Sequence, residues 1–538
     1  MEKKIPVLIV GASLGGVAAA IGCARMGVKC ILIEEDTWIG GQATAHGVPL
    51  DEHPWIEQYG CTRSYRSFRE GVRAYYRRNY NLTAEAARDP YFNPGAGWVS
   101  GLGFEPKVGL AVLREMLQPY ESAGILEVMH GWRCQGVEVE KDRVRCVCFE
   151  REGIKLTISS DYVLDATETG ELLPMTGTEY SVGAESCYET GEPLALDVAD
   201  PMRQQPFTHL IAVSFHEGED HRIEKPDEYH NFNFGLMGMM PEEFLPEMQL
   251  HKMDYVFAPQ QSDKYTPSVW NFRRCLCAKN FHGISSDITM LMNWNEYDRP
   301  LLDVPEELKQ KHLADAKALS RSLVYYLQNE MEPCYPGIRV RPDVFDTPDG
   351  LARGPYIRES RRIKGVVTVL EQDFRIDQHP DRPVLYRDSV GLGGYRIDIH
   401  ERRKDGAKSI TTSMHGAHWT QQIPLGALIP VRMENLIPAC KNLAVTHVTN
   451  GAFRLHPVEW NVGESAGALA AFAVKRGVLP RAIHAKDDLL SDFQHSLTLA
   501  GVELEWPHYT FGRSYFSHMV NVRDWSFGEA WRRKDYSE

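Results

Sequence analysis

IPVLIVGASLGGVAAAIGCARMGVKCILIEE, residues Ile5 to Glu35, decides the fold. A β-branched apolar run breaks at Gly11, an Ala-rich segment of helical character follows Gly16, and a second apolar run, Cys30 to Ile33, ends on Glu34. Strand, glycine turn, helix, strand and terminal acid in that order suit a dinucleotide. The turn brings backbone N–H groups at a helix N-terminus against a pyrophosphate, and the acid accepts ribose hydroxyls. Gly11 and Gly16 keep the G-x-G-x-x-G pattern, whereas Ser13 stands where the middle glycine normally admits the phosphate. The plain alternative is a βαβ unit whose glycines serve only close packing; Glu34, 18 residues beyond Gly16, favours the nucleotide.

Outward from this unit, Gly40-Gly41-Gln42 opens a small-residue loop reaching His46, where the backbone can pass close to a flat ligand. The aromatic and arginine-rich stretch that follows has helical periodicity in its second half, with Tyr65 a candidate for touching substrate. Glu105-Pro106 opens a helix to about Tyr120, and from Ile125 the segments ILEVMHGWRC, GVEVE, RVRCVCFE and KLTISS alternate as an antiparallel meander. The chain then returns to a parallel sheet at Tyr162 to Asp165, ending in Ala166 and Thr167. Residues 176–387 change character, with long aromatic and Met-rich loops and one clear helix from Pro305 to about Glu332, and read as an inserted α+β substrate domain. Beyond Asp388, Leu443 to Thr446 reads as a short buried strand, and Pro457 starts a helix of small residues reaching Gly477. The expected division is 1–175 plus 388–477 as a discontinuous nucleotide-binding α/β domain, 176–387 as the insert, and 478–538 as a helical tail.

Composition narrows the function. A length of 538 residues implies two to four domains, and a net charge of -14 argues against a nucleic-acid surface, which needs clustered Lys and Arg. No apolar run reaches the roughly 18 residues of a membrane span, and the first one leads straight into the glycine turn rather than a leader cleavage site. The expectation is a cytoplasmic protein with no membrane partner. Its 11 cysteines include no C-x-x-C pair, so neither a disulfide framework nor a dithiol centre is indicated. The C-x-C pairs Cys146 with Cys148 and Cys275 with Cys277 read as buried thiols, and no metal site is expected.

The Gly11 to Glu34 unit, the GGQATAHGVPLDEHPWIEQYGCTRSY loop, DATETGELLPMTG and NLIPACKNLAVTHVTNGAFRLHPVEWNVGESAGALAA together resemble a known family, as do NPGAGWVS, PYIRESRRI and DSVGLGGYRIDIH. They are similar to the FAD-dependent oxidoreductases of the glutathione-reductase-like Rossmann superfamily, in the bacterial group often labelled xanthan-lyase-like. The resemblance covers nearly the whole chain up to Gly477. It implies FAD threaded between the N-terminal unit and the C-terminal helix. Gly11, Ser13, Leu14, Gly15 and Gly16 would then face the pyrophosphate, and Glu34 and Glu35 the adenosine ribose. Gly40, Gly41 and Gln42 would run along the ribityl and flavin portion. Arg133 and Cys134 would meet adenine, with Ala166 and Thr167 closing that side. Asn442 would lie at the ribityl, and Val458, Glu459, Trp460 and Asn461 at the flavin pyrimidine edge. Cys440-Lys441-Asn442 departs from the family pattern of Gly followed by Arg or an acid.

The reaction expected on that resemblance is dehydrogenation or oxidation of a small organic substrate, with hydride passing to flavin N5. Flavin monooxygenase, NAD(P)H-dependent reductase and a non-catalytic FAD scaffold are the rival readings, and the electron acceptor is left open. A base neutral near pH 7 suits histidine, and His456, His447 and His46 lie in segments expected near the flavin. His456, just ahead of the helix, is favoured. Arg454, Arg358 and Arg361 are candidates for an anionic or polar substrate group.

Overall fold

The computed structural model describes residues 1–53, 55–229, 256–257, 268–400 and 418–507. β1 (Glu2–Val10) buries Val7 to Val10, and Gly11 turns the chain with a φ of 92°. Ser13 then caps α1 (Leu14–Arg25), its hydroxyl accepting the N–H of Gly16. β2 (Cys30–Glu34) returns parallel to β1, Val10 opposite Ile33. α2 (Arg63–Asn79) buries Tyr65, Phe68, Val72 and Tyr76, the stripe that its periodicity predicts, and α3 (Pro106–Ser122) starts on its proline.

The stretch from Ile125 is not one meander. β3 (Leu126–His130) joins β2 in parallel, with Cys30 opposite Leu126; only β4 (Arg133–Glu140), β5 (Arg143–Arg151) and β6 (Ile154–Asp165) run antiparallel. Alternation alone does not distinguish parallel from antiparallel partners, and Gly131, at a φ of 78°, is where the chain leaves one edge of the sheet.

Residues 211–340 carry a second sheet. β7 (Ile211–Phe215), β8 (Arg274–Leu276), β9 (Ile288–Leu291) and β10 (Ile338–Val340) pair antiparallel in the order β10-β7-β9-β8. α4 (Glu306–Asn329) covers this sheet, with Leu323, Val324 and Leu327 packed beside Ile211, Val213 and Leu291. β11 (Ser389–Gly393) and β12 (Gln421–Pro424) form a separate antiparallel pair.

The last strand of the first sheet is β13 (Leu436–Pro438), which lies parallel to the end of β6 with Pro438 opposite Asp165. The expected strand at Leu443 to Thr446 is absent. Pro438 has no N–H to extend the ladder; 443–446 instead bends, makes one isolated parallel bridge from Val445 to Val369, and ends on Thr446, which caps α5 (His447–Phe453). Among the described residues the first sheet has seven strands, ordered β3-β2-β1-β6-β5-β4 with β13 on β6.

α6 (His456–Arg476) lies directly on α1. A Cβ on Gly463 would stand 2.0 Å from the carbonyl oxygen of Gly15, and one on Gly467 2.0 Å from that of Ala19, so the two backbones touch. Of the tail, α7 (Asp487–Ala500) buries Leu490, Phe493 and Leu497; residues 508–538 lie outside the described residues. No described helix is long and apolar enough to cross a membrane.

Candidate active site

The turn after β1, the Gly40-Gly41 loop and the start of α6 meet at one carboxylate. Glu459, fully buried, accepts the N–H of Gly15 at 3.0 Å, the side-chain amide of Gln42 and the ammonium of Lys441 at 3.1 Å. Lys441 also donates to Glu168. Burial opposes its charge, but Cys440, Glu168 and Glu459 hold it protonated well above the ordinary lysine range. Helix α1 thus has an anion at its positive end supplied by the protein. Ser13 is explained by capping, and Gly15 and Gly16 by packing: Cβ atoms there would lie 2.1 Å from the carbonyl oxygens of Ala439 and Gly11. Glu34 stands at the tip of β2, where its carboxylate accepts the N–H groups of Ala12 and Asp36; burial pushes it up to about 7.

Next to this end lie three histidines that burial keeps neutral. His46 is lowered to about 3, His456 to about 4 and His209 to about 3. Lys441 and Glu459 act on the charges of both His46 and His456, which joins the histidines to the glycine turn. Nδ1 of His456 accepts the backbone N–H of Asp51 at 3.0 Å, so the neutral ring carries its proton on Nε2, a buried atom without a partner. This reverses the part expected for His456: at this geometry it is a hydrogen-bond donor and a poor base.

Asp51 continues the cluster outward, its carboxylate 2.6 Å from Arg273. Arg454 donates to the Tyr356 hydroxyl at 2.7 Å and to Asp398 at 3.2 Å. Asp398 bonds His400 at 3.2 Å, His400 bonds Glu296 at 2.7 Å, and Glu296 bonds Arg358 at 2.7 Å. Burial works against ionising Asp398, yet His400, Arg396 and Arg454 keep it well below the usual carboxylate range. The Nε–H groups of Arg454 and Arg273 and the side-chain amide nitrogen of Gln205 are buried without partners. Asp51, Gln205, His209, Arg273, Glu296, Asp398 and His400 were missed in the sequence; only the DEHPW and RIDIH motifs that hold three of them stood out there.

Other expected residues have their groups committed elsewhere. Trp460 stacks on Phe68 at 5.7 Å and donates to Ser64, and Asn461 ties α6 to β11 through Val390 and Leu392. Both belong to the core beneath α6, because a helix start presents only one side to a ligand. Val458 is buried. Tyr65 gives its hydroxyl to Glu52 at 2.6 Å. His447 bonds Glu359 at 2.8 Å, Arg358 is clamped by Glu296 and the Pro206 carbonyl, and Arg361 is held by Asp303 and the Thr169 carbonyl. Asn442 spans Cys440 and Asp165, and Thr167 bonds Asp165. Arg133 and Glu35 face solvent 3.8 Å apart, and Cys134 contacts Met175.

The residues at this end fit an FAD. At the Gly40-Gly41 loop, Gln42 Oε1, His46 Nδ1 and Glu168 Oε1 are buried polar atoms without a hydrogen bond, the last two 3.8 Å apart, as suits a ligand rich in hydroxyl and amide groups. Gly41 also brings the loop against Ser13, where a Cβ would lie 3.0 Å from its Cα. No curated protein matches the chain in sequence. Similar solved structures include an anhydrotetracycline hydroxylase from Streptomyces rimosus, at 12% identity over 98% of this chain and 75% of that one, with a TM-score of 0.36. A p-nitrophenol 4-monooxygenase from Pseudomonas putida matches at 12% identity over 98% and 96%, also at 0.36. An L-proline dehydrogenase from P. horikoshii matches at 13% over 34% of this chain, spanning 25% of its own length, at 0.18. A family model described as FAD dependent oxidoreductase covers residues 6–497, and the chain belongs to that family of FAD-dependent enzymes.

Proposed function

We propose that the chain is a dehydrogenase or oxidase acting on a small organic substrate that presents a carboxylate or other electron-rich oxygen. The observation that carries this reading is the set of unpartnered buried donors beside the cofactor end: His456 Nε2–H, Arg454 Nε–H, Arg273 Nε–H and the Gln205 amide. Buried donors without acceptors cost roughly 1–3 kcal/mol each, and a ligand oxygen relieves that cost. FAD, when bound, supplies the acceptor for hydride.

The chain's own groups bind and orient. Asp51 holds His456 through its backbone N–H and Arg273 through its carboxylate, so one residue sets two donors. Tyr356 and Asp398 fix the guanidinium of Arg454, leaving Nε–H to the substrate. His456, neutral at physiological pH, donates without adding a charge.

The test is anaerobic mixing of the FAD-loaded protein. Bleaching of the flavin by an organic acid or hydroxy acid alone supports the proposal. Bleaching by NADH or NADPH alone points instead to a reductase or monooxygenase, and retained FAD that no metabolite reduces points to a scaffold.

A further inference from the structure

We propose that Glu138, Cys146 and Cys148 bind a thiophilic divalent cation of the zinc class on the β4–β5 hairpin. Alternation along β5 places Val147 and Phe149 on the core face, 0% and 1% exposed, beside Leu156 and Ile158 of β6. Cys146 and Cys148 point to the other face. Their neighbours there are polar: Glu138 lies opposite Cys146 on β4, and Ser159 and Thr157 lie opposite Cys146 and Cys148 on β6. Free cysteines usually fill cores. Here Cys146 is buried, as expected, and Cys148 is half-buried, but both stand in a polar row that faces a carboxylate.

The two Sγ atoms and a Glu138 carboxylate oxygen all lie within 4.8 Å of one another. Tetrahedral zinc, with bonds of about 2.3 Å to sulfur and about 2.0 Å to oxygen, separates its donors by roughly 3.3–3.8 Å. Closing the set needs a shift of about 1 Å, which the exposed Glu138 side chain supplies by rotation. Two sulfur donors in three select zinc or cadmium over magnesium or calcium. Water takes the fourth position, with the Thr157 hydroxyl 3.8 Å from Cys148 Sγ as its neighbour. Binding releases the two thiol protons to solvent and leaves the ion bound by two thiolates and one carboxylate. β4 is the outer strand of the sheet and Glu138 on it is exposed, so the ion enters from the Glu138 side. A second group of possible ligands, Glu168, Cys440 and Glu459, does not compete, because the ammonium of Lys441 already sits between its two carboxylates.

The experiment is calorimetric titration of the reduced, metal-stripped, FAD-loaded full-length protein with Zn2+, the flavin spectrum confirming that FAD stays bound. Wild type and Cys334→Ser, which removes an exposed thiol, are expected to take up one equivalent. Cys146→Ser/Cys148→Ser is expected to lose it, and Glu138→Gln to weaken it by about tenfold or more. No uptake by wild type, or unchanged uptake by the double variant, overturns the proposal. If the double variant does not fold, Glu138→Gln decides: weaker binding supports the site and equal binding overturns it.

Discussion

At His456, one backbone hydrogen bond fixes which ring nitrogen holds the proton, and burial fixes the charge. The folded ring titrates at about 4 against an ordinary value of 6.5. Its contribution to stability is therefore complete above pH 6.5 and is lost as pH falls from there toward 4, when only the unfolded chain gains the proton. The full swing is roughly 3 kcal/mol. Urea unfolding at pH 7 and pH 4.5 is expected to show a smaller pH-dependent loss for His456→Gln than for wild type. An identical loss would mean that the ring is not held neutral. Arg454 makes a second test. Arg454→Lys keeps the charge near Asp398 but removes the Nε–H and the planar fork, so FAD retention is expected to hold while substrate KM rises by about tenfold or more, the equivalent of roughly 1.4 kcal/mol. Steady-state kinetics together with the flavin spectrum separate the two effects.

The crossing of α1 and α6 shows what small residues do at the scale of elements. Gly463→Ala would push a methyl into the carbonyl of Gly15, at 2.0 Å, and is expected to cost about 1–3 kcal/mol or more and to loosen FAD, because the same crossing brings Glu459 to the glycine turn. Gly136→Ala on β4, with nothing within 4 Å of the added Cβ, is expected to stay within about 0.5 kcal/mol of wild type. Thermal unfolding and the fraction of FAD retained check both. This pairing also shows what the sequence made legible. The β1 to β2 unit and α6 were readable because strand alternation, helical period and caps are local signals. β13 was not, since Leu-Ile-Pro is too short for any period. The parallel edge placement of β3 was not readable either, because pairing partners are set by tertiary packing.

On the scale of the whole molecule, the candidate site is assembled from distant segments: Asp51 from the loop before α2, Arg273 and Glu296 from the segments flanking β8 and β9, Asp398 and His400 from the chain after β11, and Arg454 and His456 around the start of α6. Nothing in local spacing links residues hundreds of positions apart, which is why the cofactor turn was legible and the donor cluster was not. Arg358 illustrates the cost of reading charge alone: it looked available for a substrate, and Glu296 neutralises it in the core. The central claim joins two halves, an FAD end built on Gly11 to Glu34 and a substrate end built of buried donors. Its most direct test is anaerobic titration of the FAD-loaded protein with a panel of small carboxylic and hydroxy acids, following the flavin visible band in wild type and Arg454→Lys. The account expects at least one acid to perturb or bleach the band in wild type and to do so only at higher concentration in Arg454→Lys. A wild-type band untouched by every acid, or equal responses from the two proteins, would contradict it.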